Sequence, residues 1–149
     1  MRALRFVSVI ITAAALVVNA VVHLALAGVY DAIPGTLLGQ GALFRIQAVI
    51  GIVIAVLLVL SLRVQRIALF VALSAAVVAA GGLALVVITA LVPLDLTAIG
   101  LPYLFEPIWY SDKITTVLAQ AVALITALMA AGIAASATLS RRRARLAQP

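Results

Sequence analysis

Cysteine is absent from these 149 residues, and histidine occurs once. Without a thiol there can be no disulfide, no thiolate metal site and no thiol–disulfide relay. A single histidine rules out a bis-histidine haem within one chain, since only a symmetric dimer would supply the pair. One histidine among four scattered carboxylates also makes an improbable zinc set. Charge is equally scarce, with 9% of residues ionic against 67% hydrophobic, whereas a soluble domain carries about 25% charged residues. A soluble domain is thereby excluded, and the membrane is the solvent. Also missing are a GxxxxGK[ST] phosphate loop, a serine in a nucleophile elbow and a pair of intramembrane acids, so nucleotide hydrolysis and the common hydrolase chemistries have no motif behind them. A proton-coupled exporter of the small multidrug type would be expected to carry a glutamate in its first helix, and helix one has none.

What the chain does have is long apolar runs. Four of them, Phe6–Ala27, Ala42–Leu62, Ile67–Val92 and Lys113–Leu139, reach the roughly 20 residues needed to cross about 30 Å of hydrocarbon. Backbone amides in lipid must be satisfied within the segment, and continuous Ala, Leu and Val without period-two alternation favour helices over barrel strands. The expected fold is an all-α membrane protein, a single domain over residues 1–149 forming an antiparallel four-transmembrane-helix bundle.

The few charges orient it. Arg2, Arg5, Arg63, Arg66, Arg141, Arg142, Arg143 and Arg145 occupy three polar stretches that hold no acid. Asp31, Asp95, Glu106 and Asp112 lie in the other two stretches, with Arg45 and Lys113, so bases divide eight against two. By the positive-inside rule both termini are cytoplasmic. A formal charge of +6 is not a nucleic-acid signal here, because the basic residues sit at helix ends where topology requires them. The expected partner is the bilayer, with anionic lipid at Arg141, Arg142, Arg143 and Arg145. Arginine outnumbers lysine nine to one, a usage associated with GC-rich bacterial genomes, which makes the cytoplasmic (inner) membrane the expected location. Ala25-Leu26-Ala27 before Gly28 resembles a signal cleavage site, but the apolar run is longer than a signal core and carries Asn19 and His23, so a retained helix is expected.

Local signals refine the layout. Asp31 followed by Pro34 reads as a helix start, the carboxylate capping free amides and the proline in the first turn, so that helix two begins near Pro34. The tight turn Arg63-Val64-Gln65-Arg66 makes helices two and three antiparallel neighbours and leaves no room for a cytoplasmic site. The stretch from Pro93 to Ser111 carries Tyr103, Phe105, Trp109 and Tyr110, which suit an aromatic belt at the headgroup level. Small residues recur at Gly51 and Ala55, at Ala75, Ala79, Gly82 and Val86, and at Ala123, Ala127, Ala131 and Ala134, where they permit close helix approach. Gly81-Gly82 could bend helix three, and the Gly35–Gly39 spacing is a weak signal for a homodimer.

On helix one, Ser8, Thr12, Ala15, Asn19 and His23 follow steps of four, three, four and four, which confines them to an arc of about 80° at 100° per residue. Polar groups are costly toward lipid, so this face should turn into the bundle. Gln40, Arg45 and Gln47 on helix two, and Thr116 and Gln120 on helix four, reach a similar depth, and the loops add Asp31, Glu106 and Asp112. The candidate ligand-binding residues are Asn19, His23, Arg45, Gln47, Glu106, Trp109 and Gln120. In the functional arrangement His23 accepts a proton or holds a ligand, Glu106 or Asp31 partners it, and Arg45 clamps an anion. In the competing arrangement the same groups form a packing network, with Arg45 paired to Asp31 or Glu106.

His23 and Tyr30, then Gly39 and Phe44, with Gly100-Leu101-Pro102 and Glu106-Pro107 before the last helix, give a pattern that resembles uncharacterised four-span proteins of actinobacterial inner membranes. The resemblance implies the same topology and brings no activity with it. The expectation from all of this is a non-enzymatic membrane accessory or binding subunit, working within a larger membrane complex. The alternative is a small carrier or binder of a quinone-like, lipid-like or ionic ligand using the His23 cluster.

Overall fold

The computed structural model describes residues 2–146, with side chains described as far as residue 140. Four long helices dominate it: α1 (Arg2–Tyr30), α2 (Gln40–Ser61), α3 (Ala68–Leu91) and α4 (Ser111–Leu146). Each contains a stretch long and apolar enough to cross a membrane. The hydropathy reading placed every helix, but its ends stop at the first polar residues. In the structure α1 and α4 run on through Arg2, Arg5 and Arg141, because arginine is a good helix former and a hydrogen-bonded ladder does not end where hydrocarbon does. The side chains of Arg141, Arg142, Arg143 and Arg145, on which the anionic-lipid expectation rests, lie outside the described residues.

Helix α1 is the hub. It packs along both α2 and α4, α3 packs along α4, and α2 and α3 touch least of the consecutive pairs. The antiparallel sense follows from individual contacts. Arg5 donates from Nη2 to the Ser61 carbonyl at one end of the α1–α2 pair, and Gly51 lies against Leu16 and Ala20 midway. Gly41 sits so close to the Ala27 carbonyl and the Asp31 carboxylate at the other end that a Cβ there would collide with both. The core is a seam of small side chains. Ala75, Ala79, Ala123 and Ala127 are each 0–1% exposed, with Leu16 and Leu58 as the largest apolar groups beside them. Such contact replaces the expulsion of water as the cohesive force for helices in lipid. The polar stripe of α1 faces inward as its spacing demands, with Ser8, Thr12, Ala15, Asn19 and His23 all buried.

Helix α2 starts later than its sequence suggests. Residues 31–39 form turns and extended chain, and Gly39 stands at the N-cap with φ −79° and ψ 167°. Asp31 does not cap it. The carboxylate is held instead by Arg45, whose two terminal nitrogens donate to Oδ1 and Oδ2 at 2.6 and 2.7 Å. The delayed start leaves α2 with 22 residues, about 33 Å at 1.5 Å per residue, and removes the overlong helix that a start at Pro34 implied. Gly81-Gly82 does not interrupt α3, which is helical throughout.

At the opposite end from the termini, the chain between α3 and α4 folds into a small cap. Strands β1 (Leu94–Asp95) and β2 (Tyr103–Leu104) pair antiparallel, Leu94 opposite Leu104. A 3-10 turn at Thr97–Ile99 and Gly100, at φ 80°, complete the reversal. The Gly100 carbonyl accepts from Leu37 and Leu38 amides at 2.8 and 3.2 Å, and the Glu106 amide donates to the Thr89 carbonyl at 2.9 Å. The two long connections are thus tied to each other and to α3.

Candidate functional site

Beneath this cap the bundle opens into a half-enclosed cavity of about 320 Å³, within the roughly 300–1,000 Å³ range of ligand pockets. Its existence follows from the helix arrangement. Where α3 approaches α4 closely, alanine fills the seam; α2 and α3 pack less closely, and Leu43, Phe44 and Gln47 of α2 line the cavity together with Gly82, Leu85 and Thr89 of α3. Leu96, Leu101, Leu104 and Phe105 of the cap close it above, and the walls are mostly apolar.

The floor is polar. Gln120, 1% exposed, donates from Nε2 to Asn19 Oδ1 at 3.1 Å. Its Oε1 has no hydrogen-bond partner, the one such atom among the buried side-chain groups of the described residues. The amide lies directly over Gly82, where a Cβ would come within 2.7 Å of Nε2 and 3.0 Å of Oε1, so glycine at this position makes the space for the glutamine head. His23 is fixed by a 2.9 Å contact between Nδ1 and the Asn19 carbonyl. A carbonyl can only accept, so Nδ1 carries the proton in that contact and the neutral ring presents the Nε2 lone pair. The ring meets Phe44 edge-on at 5.0 Å, and Phe44 also packs against Tyr30 at 4.8 Å.

Higher up, the Glu106 carboxylate accepts from the Tyr30 hydroxyl, which lies 2.8 Å from the Tyr110 hydroxyl. Burial pushes the Tyr110 phenol above the ordinary tyrosine range. Lys113 is only 6% exposed. Its ammonium donates to the Glu106 carbonyl, with the Ile108 carbonyl 3.4 Å away, and lies 5.1 Å from the centre of the Trp109 ring.

Comparison with known proteins identifies no relative. No family model, no curated protein and no solved structure matches this chain. Any functional argument therefore rests on the cavity.

Of the candidates read from the sequence, His23, Gln47, Glu106 and Gln120 line the cavity. Asn19 supports it from below, through Gln120 and His23. Arg45 and Trp109 do not line it. Arg45 is about half exposed and forms an ion pair with Asp31 on the surface of the bundle, the pairing that the packing arrangement expects. That pairing holds the Asp31 carboxyl below the usual aspartate range. Trp109 is 48% exposed and covers the Lys113 ammonium. Lys113 itself escaped selection because it reads as a topology charge at a helix end. The available signal was its spacing: Lys113, Thr116, Gln120, Ala123 and Ala127 fall within an arc of about 80° on α4, the same inward-facing stripe. Tyr30 and Tyr110 left no comparable trace, because their pairing with Glu106 depends on the fold of the cap.

Proposed function

We propose that this protein is a small integral membrane binding protein of the bacterial cytoplasmic membrane, with cytoplasmic termini and the capped cavity in the outer half of the bilayer. Its ligand is a quinone-like or lipid-like amphiphile held under the cap, and no chemical step is assigned to it. The observation that carries this reading is a half-open, mostly apolar cavity lined in part by Gln120, whose buried Oε1 has no partner. A purely structural network would be expected to satisfy that atom, since leaving a buried polar group unpaired costs about 1–3 kcal/mol. Gln40, Gln47 and Thr116 add polar side chains to the lining for which no hydrogen bond to another described residue is made. The alternative of an accessory subunit within a larger complex rests on no feature that bilayer lipid does not equally explain: the exposed apolar side chains of all four helices suit either neighbour.

The test is mass spectrometry of the protein purified from native membranes in mild detergent, scoring small molecules and proteins together. A co-purifying amphiphile that is lost from a His23→Leu variant of unchanged thermal stability is the expected result. A stoichiometric protein partner with no retained small molecule would replace this reading with the accessory-subunit one.

A further inference from the structure

The end of the bundle away from the cap holds unbalanced charge. The chain has four acidic residues, and all of them lie toward the cap: Asp31 before α2, Asp95 and Glu106 in the connection between α3 and α4, and Asp112 in the first turn of α4. Arg2, Arg5, Arg63 and Arg66 therefore share their end with no acidic side chain. Arg2 and Arg5 are three residues apart on α1, which makes them neighbours on one face with Cβ atoms about 5–6 Å apart. Both line a cleft of about 140 Å³ where the start of α1, the turn before α3 and residues 133–138 of α4 converge. Arg63 and Arg66 are exposed at the same end and do not line it. Positive charge at a membrane boundary is supplied by any arginine that reaches water. That requirement does not explain why two of them border a gap between helices.

The cleft has a cationic side and an apolar side. Arg5 Nη2 donates to the Ser61 carbonyl, which fixes the guanidinium across the end of the bundle. The other donors of Arg5, and all those of Arg2, make no hydrogen bond to a described residue. Opposite them stand Ala68 and Ala134, 5% and 7% exposed, with the exposed Ala137 opening the cleft to the outside. The volume is below the roughly 300 Å³ at which pockets enclose a whole drug-sized ligand, so a head group fits and a complete amphiphile does not.

We infer that this cleft seats the phosphate of an anionic phospholipid, held by Arg2 and Arg5, with the acyl chains outside it along α4. Arginine forks match the paired oxygens of a phosphate, and basic gaps between membrane helices are established settings for anionic head groups. A zwitterionic lipid brings an ammonium for which the cleft has no acid, so charge selects phosphatidylglycerol over phosphatidylcholine. A free phosphate leaves the apolar wall uncovered. The site is separate from the capped cavity and shares with the function proposed above only the placement of the helices across a bilayer.

The experiment titrates the full chain, in non-ionic detergent, with phosphatidylglycerol and with phosphatidylcholine of the same acyl chains, and counts bound lipid by native mass spectrometry. The first phosphatidylglycerol is expected to bind at least about tenfold more tightly, from two arginines that each contribute roughly fivefold. Arg2→Gln is expected to lower that affinity about fivefold and to leave phosphatidylcholine and the thermal midpoint unchanged. Arg143→Gln, an equal loss of charge in the tail, is expected to have the smaller effect. Ala137→Leu narrows the mouth with every charge retained, and it too should weaken phosphatidylglycerol. Equal affinity for the two lipids, an equal loss in Arg2→Gln and Arg143→Gln, or full binding in Ala137→Leu overturns the inference. Displacement of the lipid by an equal concentration of glycerol 3-phosphate overturns the lipid assignment in favour of a soluble phosphate. None of these outcomes bears on the cavity ligand, which is scored separately by its co-purification.

Discussion

Gln120 and Gly82 form a pair in which a missing side chain on one helix makes room for a polar one on the next, and several other residues here have similarly sharp spatial reasons. At Gly41 the constraint is harder, because the obstacle to a side chain includes the Ala27 main-chain carbonyl, which cannot swing aside. Gly41→Ala is therefore expected to part the ends of α1 and α2 and to cost about 1–3 kcal/mol, as overpacking does. A lowered midpoint of thermal unfolding in detergent, read by circular dichroism, would record it. Gly132→Ala is the control. Nothing lies within 4 Å of a Cβ there, and alanine in a helix is favoured over glycine by about 1 kcal/mol, so stability should hold or rise. Arg45 gives a prediction of the opposite kind for binding. Its guanidinium faces Asp31 outside the cavity, so Arg45→Gln should leave the affinity for any cavity ligand unchanged.

Among the elements, the cap between α3 and α4 has the least intrinsic stability, since two-residue strands cannot sustain a hairpin alone. It is held by main-chain bonds from Gly100 and Glu106 and by the left-handed conformation of Gly100. Gly100→Ala would combine that conformation with a contact of 2.7 Å to the Leu37 side chain, and the expected result is faster amide exchange across residues 94–104 with α1–α4 unaffected. The cap should also loosen in acid. Asp95 accepts from the Thr97 hydroxyl at 2.6 Å and its amide at 3.1 Å, and these bonds hold its carboxyl below the ordinary aspartate range. Asp31 is lowered in the same direction by Arg45. A carboxyl whose folded value is depressed contributes above its unfolded value, about 3.9, and loses that contribution as pH falls through the lower folded value. Protection of residues 94–104 relative to intrinsic amide exchange should thus be flat from neutral pH down to about 4 and fall below it. High salt should weaken the Asp31–Arg45 pair in particular, because it is exposed.

For the whole molecule, the absence of cysteine makes the chain a clean background for topology mapping. Single cysteines in place of Thr36 or Thr97, at the capped end, should react with a membrane-impermeant maleimide added outside intact cells. Cysteine in place of Gln65, in the turn at the other end, should react only after permeabilisation; labelling in the reverse order would invert the proposed orientation. The number of helices, their approximate limits and the inward face of α1 were legible in the sequence, because lipid admits few ways to satisfy a backbone and penalises polar groups that face it. Hydropathy and a 100° period are local properties and survive without knowledge of neighbours. The apolar run from Ala42 came within two residues of the start of α2 at Gln40, but the Asp31–Pro34 signal pointed too early, because whether Asp31 caps a helix or pairs with Arg45 depends on where a residue fourteen positions away comes to lie. The cavity was not legible either. His23, Gln47 and Gln120 could be seen to share a depth, but depth does not fix helix rotation or the spacing between α2 and α3. Only the tertiary structure, by packing α3 closely on α4 and loosely on α2, sets the Gln120 amide over Gly82 with its oxygen unpaired, because that position is the sum of contacts among helices that the linear order of residues does not encode pair by pair.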